Sequence, residues 1–288
     1  MEESKLKALV GLIDDKDNQA FGLIRSKIVE IGAEIMPFLL EAQDETTDEG
    51  QIERLKGVYN AVSLQNAIVE LRRWQENNYK NLFQGLAIIS KFQYPKLEIS
   101  SISNLLNKIR QDFWLEINDN QSPIEKIKIL NHIFFNIYSF EGNTKDYYAV
   151  ENSFVNDVLL TKKGSPLLLS VLYSVIAQSL EIPLYGVNTP RNFMLVYLDK
   201  MYSFPIDEVQ DKNVLFYINP FSKGEIHSLK DIFSYLKRIN YNIKTEYYLP
   251  CSNPTIVRRS INNIIVSLGK KEESNSIEDY KKLLEVLE

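Results

Sequence analysis

The sequence predicts an α+β fold with one buried helix, a small antiparallel sheet, and helical segments at both ends of the chain. Residues from Leu167 to Leu180 are apolar on nearly every side, as expected for a helix at the centre of a domain. Before this stretch, apolar residues recur every three or four positions, and after it they alternate in short runs. Helices first and consecutive strands later are typical of an α+β protein.

Composition excludes several classes of protein. The 288 residues carry a net charge of −5, which argues against non-specific binding to nucleic acid or to an anionic membrane surface. Cys251 is the one cysteine, so no intrachain disulfide can form, as is usual in a reducing cytoplasm. The acidic start lacks a signal-peptide pattern, and the longest apolar run is shorter than the ~20 residues of a membrane span. We expect a cytoplasmic protein with no membrane partner.

Residues 1–82 form the first predicted domain, which is helical. Apolar spacings of three and four define two antiparallel helices around a turn at Asp14–Asp17, with Leu6, Leu9, Val10 and Ile13 on the first and Phe21, Ile24, Ile28 and Ile31 on the second. Gly32 ends the second helix and Met36-Pro37 begins another, an order that resembles a HEAT-type repeat. One copy is not an array, so a plain helical cap is the favoured interpretation. A long helix from Ile52 to about Leu82 follows.

Residues 83–250 form the predicted core domain, and its first part is helical. A short apolar helix ends at Tyr94-Pro95, an amphipathic helix covers Ile99–Trp114, and Pro123 opens a third. His132 lies in this third helix among apolar neighbours, and we interpret it as a hydrogen-bonded core histidine.

The central helix of this core has clear boundaries. Ser165 can cap it and Pro166 suits its first turn, while Pro183 and a strand at Leu184–Val187 follow it. Strands are then predicted at Phe193–Leu198, Met201–Phe204 and Val214–Ile218, with a hairpin turn at Asp199-Lys200. A helix over Ile226–Ile239 and a further strand over Ile243–Leu249 complete the core. Residues 251–288 form the third domain, a helical hairpin with Gly269 at its turn.

Several ordered motifs carry a family resemblance. They are Leu130-Asn131, Phe140-x-Gly142-Asn143, Asp146-Tyr147-Tyr148, Asn152-Ser153-Phe154-x-Asn156-Asp157-Val158-Leu159, Gly164-x-Pro166-x-x-Leu169-Ser170-x-Leu172-Tyr173 and Ile218-Asn219-Pro220-Phe221. Over about residues 83–230 the chain resembles the SirB-type branch of the bacterial transglutaminase-like proteins, and its tail resembles the tetratricopeptide-type helix pair that often ends them. The resemblance implies a papain/transglutaminase-like core.

The resemblance also implies where a catalytic triad would lie. In active members of the wider superfamily, a Cys starts the central helix, a His lies on the next strand and an Asp on the one after. The helix N-terminus lowers the thiol's pKa, the imidazole takes its proton and the carboxylate orients the imidazole. The matching positions here are Pro166, Asn192 and Asn219, and none of these side chains can do the original work.

Other residues could in principle replace the triad. Ser165 and Ser170 flank the helix start, but serine needs an adjacent base more than cysteine does. His132, His227 and Cys251 lie outside the matched positions, so the favoured interpretations are a core histidine, a surface histidine and a buried or loop thiol.

Polar residues before the central helix are the remaining candidates. Tyr147, Tyr148, Asn152 and Asn156, together with Ser165 and Ser170, could line a ligand or peptide groove beside Asn192 and Asn219. The favoured alternative is that the asparagines bond backbone and that the tyrosines pack their rings.

We therefore expect a non-catalytic transglutaminase-like protein with a degenerate triad that binds a protein or peptide partner. An amide-bond hydrolase or acyl transferase with an unconventional site is the alternative, and regulatory binding of a small metabolite is a third possibility. Two separated histidines and one cysteine supply no metal-ligand set, and no glycine-rich phosphate loop occurs, so we expect no metal, cofactor or nucleic acid.

Overall fold

The computed structural model describes residues 2–14, 18–270 and 274–288. The chain divides into two compact units, residues 1–73 and 74–288. The finer predicted boundaries after residues 82 and 250 stay predictions.

The first unit is helical. Its helices are α1 Glu3–Gly11, α2 Asn18–Ile31, α3 Met36–Glu45 and most of α4 Glu49–Asn77, with 3₁₀ turns at Leu12–Asp14 and Gly32–Ile35. The predicted apolar face is buried at Leu6 and Val10 of α1 and at Ile13 of the 3₁₀ turn that follows, since each is 5% exposed or less. The predicted turn reaches residues 15–17, which lie outside the described residues. The HEAT-type interpretation stays a prediction.

The second unit begins with helices that surround one apolar helix. They are α5 Leu82–Gln93, α6 Ile99–Glu116, α7 Pro123–Asn131 with a π-helical extension at His132–Ile137, α8 Val155–Thr161 and the central α9 Pro166–Gln178. Ten of the thirteen α9 residues are buried. The all-round apolar pattern therefore correctly predicted the centre of the core.

A four-stranded antiparallel sheet covers α9. Its order is β3-β4-β5-β6, with β3 Leu184–Val187, β4 Met194–Leu198, β5 Val214–Asn219 and β6 Glu225–His227, and a two-stranded parallel pair joins β1 Glu141–Gly142 to β2 Lys163–Gly164. The strands β3 and β4 contact α9. A second apolar cluster joins β3, β4 and β5 to Ile232 and Leu236 of α10 Leu229–Arg238. Every residue of β4 is buried, because the strand is covered on both faces.

Two predicted strands are wrong. Residues 201–204 are not a strand, because the backbone of Tyr202 bonds the Tyr185 hydroxyl through both its N–H (2.8 Å) and its carbonyl (2.9 Å), so β4 pairs directly with β5 and no hairpin forms at Asp199-Lys200. Residues 243–249 contain a 3₁₀ turn at Thr245–Tyr247 instead of a strand. The predicted helix from Ile226 begins only at Leu229, because residues 225–227 pair with β5.

The chain ends in the predicted pair of helices. They are α11 Asn253–Lys270 and α12 Ser274–Glu285, which contact each other. Gly269 lies inside α11 and not at the turn. Among the described residues, no helix has the length and apolar character needed to cross a membrane. The fold is thus α+β, with helical segments at both ends.

Candidate functional site

The head of α9 is the place where the resemblance puts a nucleophile. Ser165 is the N-cap, and its Oγ accepts a hydrogen bond from the Leu168 N–H at 3.2 Å. Pro166 occupies the first helical turn, where its missing N–H costs nothing. The serine hydroxyl is thus used as a helix cap, and proline offers no nucleophile.

Asn192 and Asn219 line one open cavity of about 610 Å³. Asn192 precedes β4 and Asn219 ends β5, and these adjacent strands bring the two residues to the same end of the sheet. The Asn192 Oδ1 accepts a hydrogen bond from the Phe193 N–H at 2.9 Å. The Asn219 Nδ2 donates to Ser222 Oγ at 3.1 Å, whereas its Oδ1 is buried and has no partner in the described part of the chain. The cavity thus has amide groups at the two positions for which the resemblance implies a base and a carboxylate.

His227 lines the same cavity, and the sequence reasoning missed this. It lies on β6 opposite Tyr217 of β5, and its side chain is 24% exposed. Its Nε2 lies 3.7 Å from a carboxylate oxygen of Glu225. His227 is thus a partly exposed histidine that lines the cavity. A hairpin turn at Lys223-Gly224 was the signal that could have placed it beside Asn219.

Asn152 ties the loop before α8 to the head of α9. Its Oδ1 accepts from Asn143 Nδ2 at 2.9 Å, and its own Nδ2 donates to the carbonyls of Asp146 (2.8 Å) and Tyr147 (3.2 Å). Its backbone carbonyl accepts from the Ser165 N–H at 3.1 Å. All polar groups of this buried side chain are used for backbone and loop contacts, which is the structural role that we favoured for it.

Tyr147 and Tyr148 are surface aromatics on this loop, 46% and 48% exposed. Their rings meet edge to face, and Tyr147 makes a similar contact with Phe221, which lies two residues after Asn219. The ammonium group of Lys270 lies 4.3 Å from the Tyr148 ring centre, a cation–π geometry. The loop therefore presents an aromatic surface with a positive charge at one side.

Asn156 belongs to a different polar cluster. Its Nδ2 donates to Asp157 Oδ1 at 3.0 Å, and the Tyr94 hydroxyl donates to Asp157 Oδ2 at 2.7 Å. Burial raises the pKa of Asp157, and burial together with this bond raises the pKa of Tyr94. Ser170 is also remote from solvent, since it is fully buried and its Oγ donates to the Phe193 carbonyl at 3.4 Å. Neither Asn156 nor Ser170 lines the cavity of Asn192 and Asn219.

Arg259 of α11 holds the turn that carries Asn192. Its Nη1 donates to Asn188 Oδ1 (2.5 Å) and to the Thr189 carbonyl (3.0 Å), and its Nη2 donates to the Asn192 carbonyl (2.7 Å). The guanidinium also lies 5.4 Å from the centre of the Phe193 ring. Burial lowers the pKa of Arg259. Sequence reasoning missed this residue.

Two further predicted candidates lie away from the cavity. The Cys251 thiol donates a hydrogen bond to the Gly186 carbonyl at 3.3 Å, and burial raises the pKa of this thiol to about 12. At neutral pH the thiol is therefore protonated, which makes it a weak nucleophile. His132 is exposed and pairs with Asn136 at 3.2 Å, so its interpretation as a core histidine is wrong. In the described ranges, no three His, Cys, Asp or Glu side chains converge as metal ligands.

A buried helix packed on an antiparallel sheet, with a polar cavity between that sheet and α10, defines an α+β class of domain. The sequence profile of the transglutaminase-like superfamily matches residues 100–262, which is more than half of the chain. The chain belongs to this superfamily.

Several curated proteins are similar to part of the chain. F-box only protein 21 of Homo sapiens is 30% identical over 143 residues, which are 50% of this chain but 22% of that protein. A UPF0162 protein of Vibrio cholerae is 25% identical over 181 residues (62% and 63% of the two chains), and one of Buchnera aphidicola is 24% identical over 200 residues (67% and 68%). The chain therefore spans less than a quarter of the F-box relatives that it matches. No solved structure matches the chain.

Proposed function

We propose that this chain is a non-catalytic member of the SirB-type branch of the transglutaminase-like superfamily and that its cavity binds a protein or peptide partner. The observation that carries the proposal is the pairing of Asn192 and Asn219 in one cavity. Each amide can donate and accept hydrogen bonds, as a peptide backbone requires, but neither can take up a proton near neutral pH. A cytoplasmic location, inferred from the single cysteine, is part of the same proposal.

The groups at the head of α9 support this proposal. Acyl transfer through a covalent intermediate needs a nucleophile within hydrogen-bond reach of a base. Ser165 is used as the helix cap, Pro166 has no reactive group, and the Cys251 thiol is buried and protonated. The HEAT-type and tetratricopeptide-type helices at the two ends would add contact surface for a partner.

The alternative, an amide-bond hydrolase or acyl transferase, is favoured by one observation. His227 lines the same cavity as Asn192 and Asn219, so an imidazole is present close to the superfamily's base position. An enzyme of this kind would lose its turnover when His227 is replaced by Asn. It would also react selectively with thiol- or serine-directed probes.

The test is partner capture with a blocked cavity. Ser234 lies on α10, is exposed and lines the cavity, so Ser234→Trp fills the cavity without entering the core. Lys237→Trp places the same ring on the exposed surface of the same helix and is the control. We expect the native chain and the control to capture the same partner from a native extract and Ser234→Trp to lose it.

Two results would contradict the proposal. One is equal capture by all three proteins, which would place the partner elsewhere. The other is turnover of an amide substrate that disappears with His227→Asn, together with labelling by a serine- or thiol-reactive probe above the level of the denatured chain.

A further inference from the structure

Two exposed arginines flank the cavity near Asn192. Arg191 precedes Asn192 in the turn, and Arg238 lines the cavity from α10. Tyr235 connects them, because its hydroxyl donates to the Pro190 carbonyl at 3.0 Å and its ring centre lies 5.6 Å from the Arg238 guanidinium. Burial raises the pKa of Tyr235, and the charges of the nearby arginines act against that rise. The turn, α10 and α11 thus bring the positive charges of three arginines close to Tyr235, which lines the cavity.

These positive charges are not neutralised by ion pairs within the described residues. In the described part of the chain, no ion pair with a carboxylate involves Arg191, Arg238 or Arg259. The carboxylates that line the cavity have other roles. Asp231 accepts from the N–H and the hydroxyl of Ser228, both at 2.7 Å, and Glu225 lies beside His227. A surplus of positive charge at one end is notable in a chain whose net charge is −5.

The backbone at Arg191 is held in a conformation that other residues would adopt more readily. Its φ is 60°, in the left-handed region that glycine and asparagine prefer. The neighbouring carbonyls at Thr189 and Asn192 accept hydrogen bonds from Arg259, and Pro190 accepts one from Tyr235. The surrounding contacts therefore hold the turn in this conformation and leave the Arg191 side chain exposed to solvent. Strained backbone conformations of this kind cluster at functional sites.

We propose that Arg191 and Arg238 bind the carboxylate of an acidic peptide segment that lies in the cavity beside Asn192 and Asn219. This inference rests on the proposed function and names the partner's chemistry. Guanidinium groups form strong, charge-assisted hydrogen bonds with carboxylates, and the exposed ring of Tyr147, which lies close to Tyr235, offers apolar contact nearby. A nucleic acid would need a longer row of cations, and the cavity carries Glu225 and Asp231 on its wall.

The experiment measures the binding of three fluorescein-labelled peptides to the full chain by fluorescence polarisation. Their sequences alternate Gly with Glu, Gln or Lys. The variants are Arg191→Gly, which removes the charge and suits the positive φ, and Arg238→Gln, with Lys237→Gln as the control on the exposed surface of α10. We expect the Glu peptide to bind best, to weaken as salt is added and to lose about tenfold in affinity with either arginine variant but not with the control.

The outcomes separate this inference from the proposed function. Equal binding of the Gln and Glu peptides with no effect of the arginines would overturn the acidic preference, while peptide binding in the cavity would stand. An equal loss with Lys237→Gln would show a general charge effect and would also overturn it. The inference fails as well if no peptide binds, or if inorganic phosphate alone binds with the same arginine dependence. The proposed function is then judged separately by capture with Ser234→Trp.

Discussion

The Tyr173 hydroxyl donates a 2.8 Å hydrogen bond to Asn131 Oδ1, which connects the central helix α9 to α7. The Asn131 Nδ2 donates in turn to the Gly224 carbonyl at 3.1 Å, in the hairpin between β5 and β6. Three elements that are far apart in sequence are thus joined by two side chains. The hairpin carries Asn219 and His227 on its two strands, so these bonds also fix one wall of the cavity.

Replacing Tyr173 by Phe tests this connection. The change leaves the ring in place and leaves the partly buried Asn131 acceptor without its donor, which costs about 1–3 kcal/mol. We expect the free energy of unfolding in urea to fall by that amount. Tyr147→Phe removes a hydroxyl from a side chain that is 46% exposed and serves as the control, with no expected change. An unchanged unfolding midpoint for Tyr173→Phe would show that the bond contributes nothing.

Gly224→Ala tests the same network from the hairpin. Gly224 has a φ of 75°, and a Cβ there would collide with the Asn131 side-chain amide. We expect a loss of roughly 2 kcal/mol or more in unfolding free energy, because backbone strain and displacement of Asn131 add. Gly269→Ala in α11 is the matched control: its Cβ would meet nothing closer than 4.0 Å, so stability should hold or rise slightly. Equal effects of the two substitutions would contradict the network.

The Asp157 carboxyl gives the protein a specific dependence on pH. Burial raises its folded-state pKa above the usual value near 3.8, so the folded chain holds this proton more tightly than the unfolded chain does. This tighter proton binding stabilises the folded chain fully below pH 3.8. The stabilisation is lost as the pH rises through the raised pKa of the folded chain. Asp157→Asn should remove this part of the pH dependence.

Asparagine should be tolerated at position 157. The Tyr94 hydroxyl can donate to the new amide oxygen, and a flip of Asn156 would let its unpartnered Oδ1 accept from the new amide nitrogen. The measurement is unfolding free energy in urea from pH 4 to 7, an interval chosen to start near the ordinary carboxyl pKa, with exposed Asp119→Asn as the control. Identical slopes for the native chain and for Asp157→Asn would show that this carboxyl does not titrate in the interval.

Much of the fold was predictable because its signals are local. The cap at Ser165, the proline at 166 and the apolar run that follows gave the start of α9 correctly. Residues 201–204 show the limit of such signals: they alternate like a strand, but the Tyr185 hydroxyl, 17 positions away, takes up the polar groups of Tyr202. A local pattern does not contain that competing partner.

The candidate site was predictable only in part, for the same reason. The resemblance matched Asn192 and Asn219 to two triad positions, and both line one cavity, whereas His227 reaches it through strand pairing and Arg259 holds the adjacent turn through packing of α11. One signal for Arg259 was present, since it lies one helical turn after the buried Ile256. A charged residue beside an apolar stripe needs polar partners, but the sequence does not say that they are the carbonyls of residues 189 and 192.

Arg259→Lys is the most direct test of how the turn that carries Asn192 is held in place. Lysine keeps the charge but loses the planar fork that reaches Asn188, Thr189 and Asn192 together. We expect a loss of about 2 kcal/mol in unfolding free energy, since hydrogen bonds to charged groups contribute about 1.5–3 kcal/mol. Faster amide hydrogen exchange should appear in the turn of residues 188–192 before it appears elsewhere in the sheet. Arg258→Lys, at the exposed neighbouring position, should change neither quantity. If exchange in the turn stays slow with Arg259→Lys, the turn is held by the Tyr235 bond to Pro190 instead.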